Sequence, residues 1–266
     1  MSADPIAPPA PDRAQPDAVS PSSSPGSRRP RIGLIANIGT LNEGSLHAAL
    51  KEHLARPGDE FEVPLDGFVI DIRRGRQLIE IQTTSFAAMG RKLDRILATH
   101  PVLIVHPIAV ETYLHKPGAR PRRSPKRSDR YGLFDELVSM PTLLDHPNLE
   151  IEVLLVVVDK HQVADPTLRR NRGGWRTTDR RLREIRDQCR LTTVSDLAQY
   201  VPAGLPEVFT TADLARLAPT SRDRAQKLAY CLRDVGLFDL VGRSRRGYEY
   251  RLGSGTAGMV GRRTHR

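Results

Sequence analysis

Cysteine and aromatic residues are scarce in this chain, and long apolar runs are missing. Two cysteines and one tryptophan occur among 266 residues. Because Cys189 and Cys231 are far apart, they indicate neither a disulfide framework nor a zinc-binding spacing, and a reducing cytoplasm is the expected location. No apolar run approaches the ~20 residues that span a membrane, and the N-terminus lacks the apolar segment of a secretory signal. We therefore expect no membrane partner.

The charge of the chain is strongly basic, with 41 Lys and Arg against 31 Asp and Glu and a net charge of +10. A basic surplus attracts phosphate polyanions, and arginine contacts them in a bidentate geometry. DNA is the expected partner, although basicity can also serve solubility alone. Residues 1–31, rich in Pro and Ser, and the basic residues 254–266 are predicted to be disordered tails, because they cannot bury enough apolar surface to offset the entropy of ordering.

Two short apolar segments flank the basic turn 73–76 and predict a β-hairpin over residues 67–83. Alternation along the first strand places three apolar side chains on one face: Phe68, Ile70 and Ile72. The other face of the hairpin would carry Asp71, Glu80 and Gln82. Neighbouring carboxylates repel each other unless a cation lies between them, and a divalent metal is the usual cation. The alternative is an ordinary hairpin with a polar, solvent-exposed face.

A helix is predicted before the hairpin, over residues 41–54, with Asn42 as its N-cap. At about 100° per residue, Glu43 projects between Leu50 and Leu54, on the buried side of this helix. An acidic side chain directed toward the core suits a metal site or an active site. The alternative is that Glu43 only interacts with the positive end of the helix dipole.

In this order, Glu43, Asp71, Glu80 and Gln82 resemble the motif of the PD-(D/E)XK nuclease superfamily, which has the restriction-endonuclease-like fold. In that family a helix with Glu precedes a hairpin with Asp on one strand and (Asp/Glu)-x-Lys on the next, and a helix and a strand follow. The resemblance covers residues 40–160. It implies an α/β fold with a mixed sheet flanked by helices, and it implies that Asp71 and Glu80, joined by Glu43, bind Mg²⁺ or Mn²⁺.

One position departs from the family motif, because Gln82 stands where the family has Lys. That Lys positions the attacking water and offsets negative charge, whereas Gln can orient a water but carries no charge. The missing cation could come from Lys92 on the following helix, or from Arg73 or Arg76 beside the hairpin.

The remainder of the first domain, predicted over residues 32–165, continues the alternation of helices and strands. A helix over 85–99 and a buried strand over 101–110 form a crossover unit, and a helix over 134–144 and a strand over 149–158 follow. The cationic segment 115–130 is either a solvated loop or a clamp on the phosphate backbone. Five residues would form the clamp: Arg120, Arg122, Arg123, Lys126 and Arg127.

Residues 166–203 are predicted to be an Arg-rich helical connector, with a helix near 178–189. Residues 204–253 resemble a winged helix-turn-helix domain, with two helices followed by a hairpin. In that resemblance the second helix presents Arg222, Arg224 and Lys227 to the major groove, and Arg245 and Arg246 lie in the wing. A winged helix used for protein contacts is the alternative.

Together the two parts predict a metal-dependent DNA endonuclease, with a homodimer as a possible form, in which Glu43, Asp71, Glu80 and Gln82 are catalytic. The second hypothesis is a catalytically inactive nuclease-like protein that binds DNA or has a regulatory role. A protein-interaction module, with basicity serving only solubility, is a third hypothesis.

Overall fold

The computed structural model of the protein describes residues 44–168 and 174–254, all within one compact unit, Gly39–Arg266. Residues 1–43, 169–173 and 255–266 lie outside the described residues. The predictions made for the N-terminal tail, for Glu43 and for the C-terminal tail beyond Ser254 fall there.

A mixed seven-stranded sheet with helices on its faces forms the main part of the molecule. The order across the sheet is β1-β2-β3-β4-β6-β7, and β5 pairs with β4. Neighbours are antiparallel except β3 with β4 and β4 with β6, which are parallel. The strands are β1 Glu60–Leu65, β2 Phe68–Arg74, β3 Gln77–Ile81, β4 Val102–His115, β5 Arg122–Arg123, β6 Leu149–Ala164 and β7 Trp175–Leu191.

Helices α1 Ser45–Leu54, α2 Gly90–Ile96 and α3 Phe134–Leu137 accompany this sheet. The helix α1 begins at Ser45 with Gly44 as its N-cap, so the prediction of Asn42 as the cap is wrong. The predicted helix after the hairpin is confirmed, although its first turn, Phe86–Met89, is a 3-10 turn. No helix among the described residues is long and apolar enough to span a membrane.

The predicted hairpin is confirmed as β2 and β3, but its first strand does not alternate regularly. Ile70 packs in the apolar cluster on the α2 side of the sheet, whereas Ile72 packs in the cluster on the α1 side. The prediction that Ile70 and Ile72 share a face is therefore wrong. The irregularity lies at Asp71, between them, and the residue opposite it on β1, Glu62, has a φ of 52°.

The Arg-rich segment after β6 is a strand, and the prediction of a helix near 178–189 is wrong. Three register shifts interrupt the pairing of β7 with β6. These bulges leave Leu182, Ile185 and Cys189 as partly buried side chains, a spacing of three and four residues that mimics a helix. The strand β7 forms one edge of the sheet.

The C-terminal module consists of two helices and a three-stranded antiparallel sheet with the order β8-β10-β9. Its elements are β8 Phe209–Thr210, α4 Thr211–Leu217, α5 Arg222–Asp234, β9 Phe238–Ser244 and β10 Gly247–Leu252. Thr210 and Asp213 form a capping box at the start of α4, and Gly236, with a φ of 74°, follows the end of α5. Leu214, Leu228 and Leu232 belong to the apolar cluster on the α2 side of the sheet, so the module shares that core.

Candidate active site

The pairing of β2 with β3 brings Asp71 next to Glu80, where the two strands separate. The ladder ends at the pair Ile72 and Ile79. Two residues beyond Ile79, Ile81 donates its backbone N–H to Asp71 Oδ2 over 2.8 Å. The carboxylate thus takes the place of a backbone carbonyl and lies in the gap between the strands. The prediction that Asp71 and Glu80 share one face of the hairpin is therefore wrong, because Asp71 contacts α1 and Glu80 contacts α2.

Two side chains of α1 hold Asp71 from one side of the sheet. His47 Nε2 lies 3.1 Å from Asp71 Oδ2, and Lys51 Nζ lies 3.8 Å from Asp71 Oδ1. Burial raises the pKa of Asp71, but the hydrogen bond and the charge of His47, the Ile81 N–H and the charge of Lys51 outweigh burial and lower the pKa below its ordinary value. Asp71 is therefore ionised at neutral pH.

Glu80 is buried on the α2 side of the sheet, where Lys92 of α2 lies against it. Lys92 Nζ is 2.6 Å from Glu80 Oε1, and it also donates to the Val69 carbonyl over 2.6 Å. The ion pair is close but poorly aligned as a hydrogen bond, and Glu80 Oε1 has no well-formed hydrogen bond among the described residues. Burial, together with the negative charge of Asp71, raises the pKa of Glu80 to about 7 against the lowering effect of Lys92.

Gln82 is turned away from the two carboxylates. Its side-chain amide donates to the Ser85 carbonyl over 2.6 Å and to Thr84 Oγ1 over 3.2 Å. Its backbone carbonyl lies 2.8 Å from Nδ1 of the buried His106. The amide nitrogen of Gln82 therefore fixes the loop after β3.

The residues around the carboxylates were only partly identified from the sequence. Lys92 was one of several candidates, and His47 and Lys51 were not assigned to the site. The sequence could have indicated that His47 and Lys51 act together, because residues four apart lie on the same face of a helix. Arg73 instead pairs with Glu60 on β1, and Arg76 is exposed at the turn. No group of three His, Cys, Asp or Glu side chains in the described ranges is placed to hold a metal ion.

Some of the residues predicted to contact phosphate are exposed to solvent, and others form ion pairs within the chain. Arg122 and Arg123 form the short strand β5, and Arg123 Nη2 pairs with Glu111 over 2.6 Å. The remaining exposed members of the set are Arg120, Lys126, Arg127, Arg222, Arg245 and Arg246.

The other two predicted contacts, both on α5, form ion pairs inside the chain. Arg224 Nη2 and Lys227 Nζ each lie 2.9 Å from the Asp135 carboxylate on α3. These ion pairs attach α5 to the first part of the molecule.

Comparison with known proteins places the sheet in a family. The family described as a domain of unknown function (DUF8091) matches residues 44–192. The chain belongs to this family. An uncharacterized protein of Treponema pallidum (strain Nichols) is 30% identical over 185 residues, which cover 67% of this chain and 74% of that protein. No solved structure matches the chain significantly.

The DUF8091 match covers α1 through β7 and ends before the C-terminal module. It therefore contains Asp71, Glu80 and Lys92. The paired carboxylates lie in the family domain.

Proposed function

We propose that the protein is a metal-dependent phosphodiester hydrolase acting on DNA, with its active site at Asp71 and Glu80. The observation that carries this proposal is the pair of neighbouring carboxylates where β2 and β3 separate, with a lysine against one of them. The order α1-β1-β2-β3-α2-β4, with β3 parallel to β4, supports a PD-(D/E)XK-type arrangement.

The two carboxylates fit a divalent cation by their chemistry. Mg²⁺ and Mn²⁺ prefer carboxylate oxygens, and Glu80 Oε1 is buried without a well-formed hydrogen bond among the described residues. Asp71 and Glu80 would hold the cation. When bound, it would polarise the scissile phosphate and lower the pKa of an attacking water.

The side chains around the carboxylates have separate roles in this proposal. His47 and Lys51 keep Asp71 ionised and fix its orientation. Lys92 supplies the positive charge that Gln82 lacks, since its ammonium group lies against Glu80 and can offset charge on a phosphate. Gln82 holds the loop after β3.

The proposal is tested with the full chain, Mn²⁺ or Mg²⁺, and single-stranded, duplex and branched DNA. We expect cleavage by the wild type and a loss of at least about 10²-fold in rate for Asp71→Asn and for Glu80→Gln. Glu150→Gln is the control, because Glu150 pairs with Arg190 elsewhere on the sheet. Intact DNA with the wild type under all these conditions would overturn the proposal.

A second candidate, a non-catalytic DNA-binding protein, is favoured by the existing partners of both carboxylates. Asp71 lies beside His47 and Lys51, although Lys51 pairs more closely with Glu62, and Glu80 lies beside Lys92. Each carboxylate therefore already has a basic neighbour within the chain. Calorimetric titration with Mn²⁺ separates the candidates. Heat of binding in the wild type that disappears in Asp71→Ala supports the hydrolase, and no binding to either protein supports the second candidate.

A further inference from the structure

Two adjoining cavities lie beside the candidate active site. The larger has a volume of about 310 Å³ and the smaller about 220 Å³. Leu46, Thr83 and Arg180 line both. They form one concave surface, which we call the basic groove.

Positive charge dominates the larger cavity. Its lining includes Lys126, Arg127, Lys160 and Arg180, with no carboxylate among the described lining residues. Lys126, Arg127 and Arg180 are exposed, and none of them forms an ion pair with another described residue. The floor is apolar and includes Ala109, Val156 and Val158. This combination suits a ligand with anionic groups and an apolar body.

The smaller cavity connects this charge to Asp71. His47 lines it, and His47 Nε2 also contacts Asp71 Oδ2. Its acidic lining residue, Asp179, accepts a hydrogen bond from Ser45 and pairs with Arg181. A chain of phosphates lying in the basic groove would therefore meet cations first and then the edge of the candidate active site.

We propose that the basic groove binds the backbone of single-stranded nucleic acid and leads it toward Asp71, the carboxylate of the candidate site that contacts α1. A single strand can turn its phosphates into a concave surface, whereas a duplex presents them on a stiff convex one. Positively charged grooves that follow the backbone are typical of single-strand binding. The cations that line the larger cavity would contact phosphates, which carry no base information, so we expect binding to be independent of base sequence.

This inference deepens the proposed function and rests on it only for the destination of the strand. Binding is measured by fluorescence anisotropy of a labelled oligothymidine and of a duplex of equal length, with EDTA present so that no cleavage occurs. For Arg127→Ala and Arg180→Ala we expect weaker single-strand binding, and a slope of log affinity against log salt that is smaller by about 0.7 for each lost contact. Arg56→Ala is the control, since Arg56 is exposed near the opposite end of α1.

The outcomes of this experiment separate the proposal of a single-strand groove from the proposal of a DNA hydrolase. Single-strand binding by both groove variants equal to that of Arg56→Ala would overturn the groove, even if the wild type cleaves DNA. Tighter binding of the duplex, unaffected by the groove variants, would also overturn it. Weaker single-strand binding by the groove variants supports the groove, even if the wild type cleaves nothing.

Discussion

The hairpin site and the C-terminal module use their charged side chains in different ways. On α5, Arg224 and Lys227 neutralise Asp135, and the three side chains attach one part of the chain to another. At the hairpin, Glu80 is buried beside Asp71, and its pKa is raised to about 7 although Lys92 lies against it. The charge pattern of the sequence therefore does not tell a structural ion pair from a site residue. The role of each charged side chain depends on which residue the fold places against it.

The largest expected effect tests the charge supplied to the hairpin site. Lys92→Met should lower the rate of Mn²⁺-dependent DNA cleavage by about 10²–10³-fold, because a cation beside the scissile phosphate is lost. Single-turnover cleavage measures it. Arg91→Met, which removes the neighbouring exposed cation of α2, should leave the rate nearly unchanged. Equal losses in both variants would contradict a specific role for Lys92.

The buried acid at the hairpin should also make stability depend on pH. The pKa of Glu80 rises from 4.5 to about 7 on folding, so the native protein binds a proton that the unfolded chain has released between these values. The free energy of unfolding should therefore fall as pH rises through this window, by about 3 kcal/mol. Urea unfolding at pH 5 and pH 8 measures the difference.

Glu80→Gln should remove that part of the pH dependence, because the amide does not titrate. Glu150→Gln should retain it. If Glu80→Gln keeps the full pH dependence of the wild type, the assignment to Glu80 is contradicted.

A smaller effect tests the ion pairs of the C-terminal module. Asp135→Ala should lower the free energy of unfolding by about 1–2 kcal/mol, because Arg224 and Lys227 lose their shared acceptor in a partly exposed site. Asp239→Ala, which removes a loose exposed pair with Arg251, should cost less than about 0.5 kcal/mol. Equal stability of Asp135→Ala and Asp239→Ala would show that α5 is not held by these charges.

The smallest effect tests the wing. Arg245 and Arg246 are exposed at the tip of the β9–β10 hairpin. If they contact DNA, the double alanine variant should bind duplex DNA a few-fold more weakly, with a salt slope smaller by about 1.8 for two lost contacts. Arg216→Ala on α4 is the control. A double variant that binds like Arg216→Ala would leave the module without a DNA contact in its wing.

Local pattern predicted much of the fold but failed where several strands combine. The hairpin and the crossover through α2 depend on neighbours in sequence. The prediction failed for β7, because bulges against β6 space its apolar side chains as in a helix. It failed for Ile70 and Ile72, because the irregularity at Asp71 turns them to opposite sides.

The candidate site also combines features set by neighbours in sequence with contacts between distant segments. The adjacency of Asp71 and Glu80 follows from hairpin register, which the sequence specifies. The contact of Lys92 with Glu80, and that of Asp135 with Arg224, join residues brought together only by packing of the whole chain. Spacing along the sequence carries no direct signal for such contacts.

The bulged strand β7 has a consequence for self-association. It is a 17-residue strand at an edge of the sheet, where unpaired backbone groups could recruit the edge of another molecule. Its three register shifts break the regular spacing of those groups. The same irregularities that give the strand a helix-like spacing of apolar residues in the sequence should therefore hinder pairing with the edge of a second molecule.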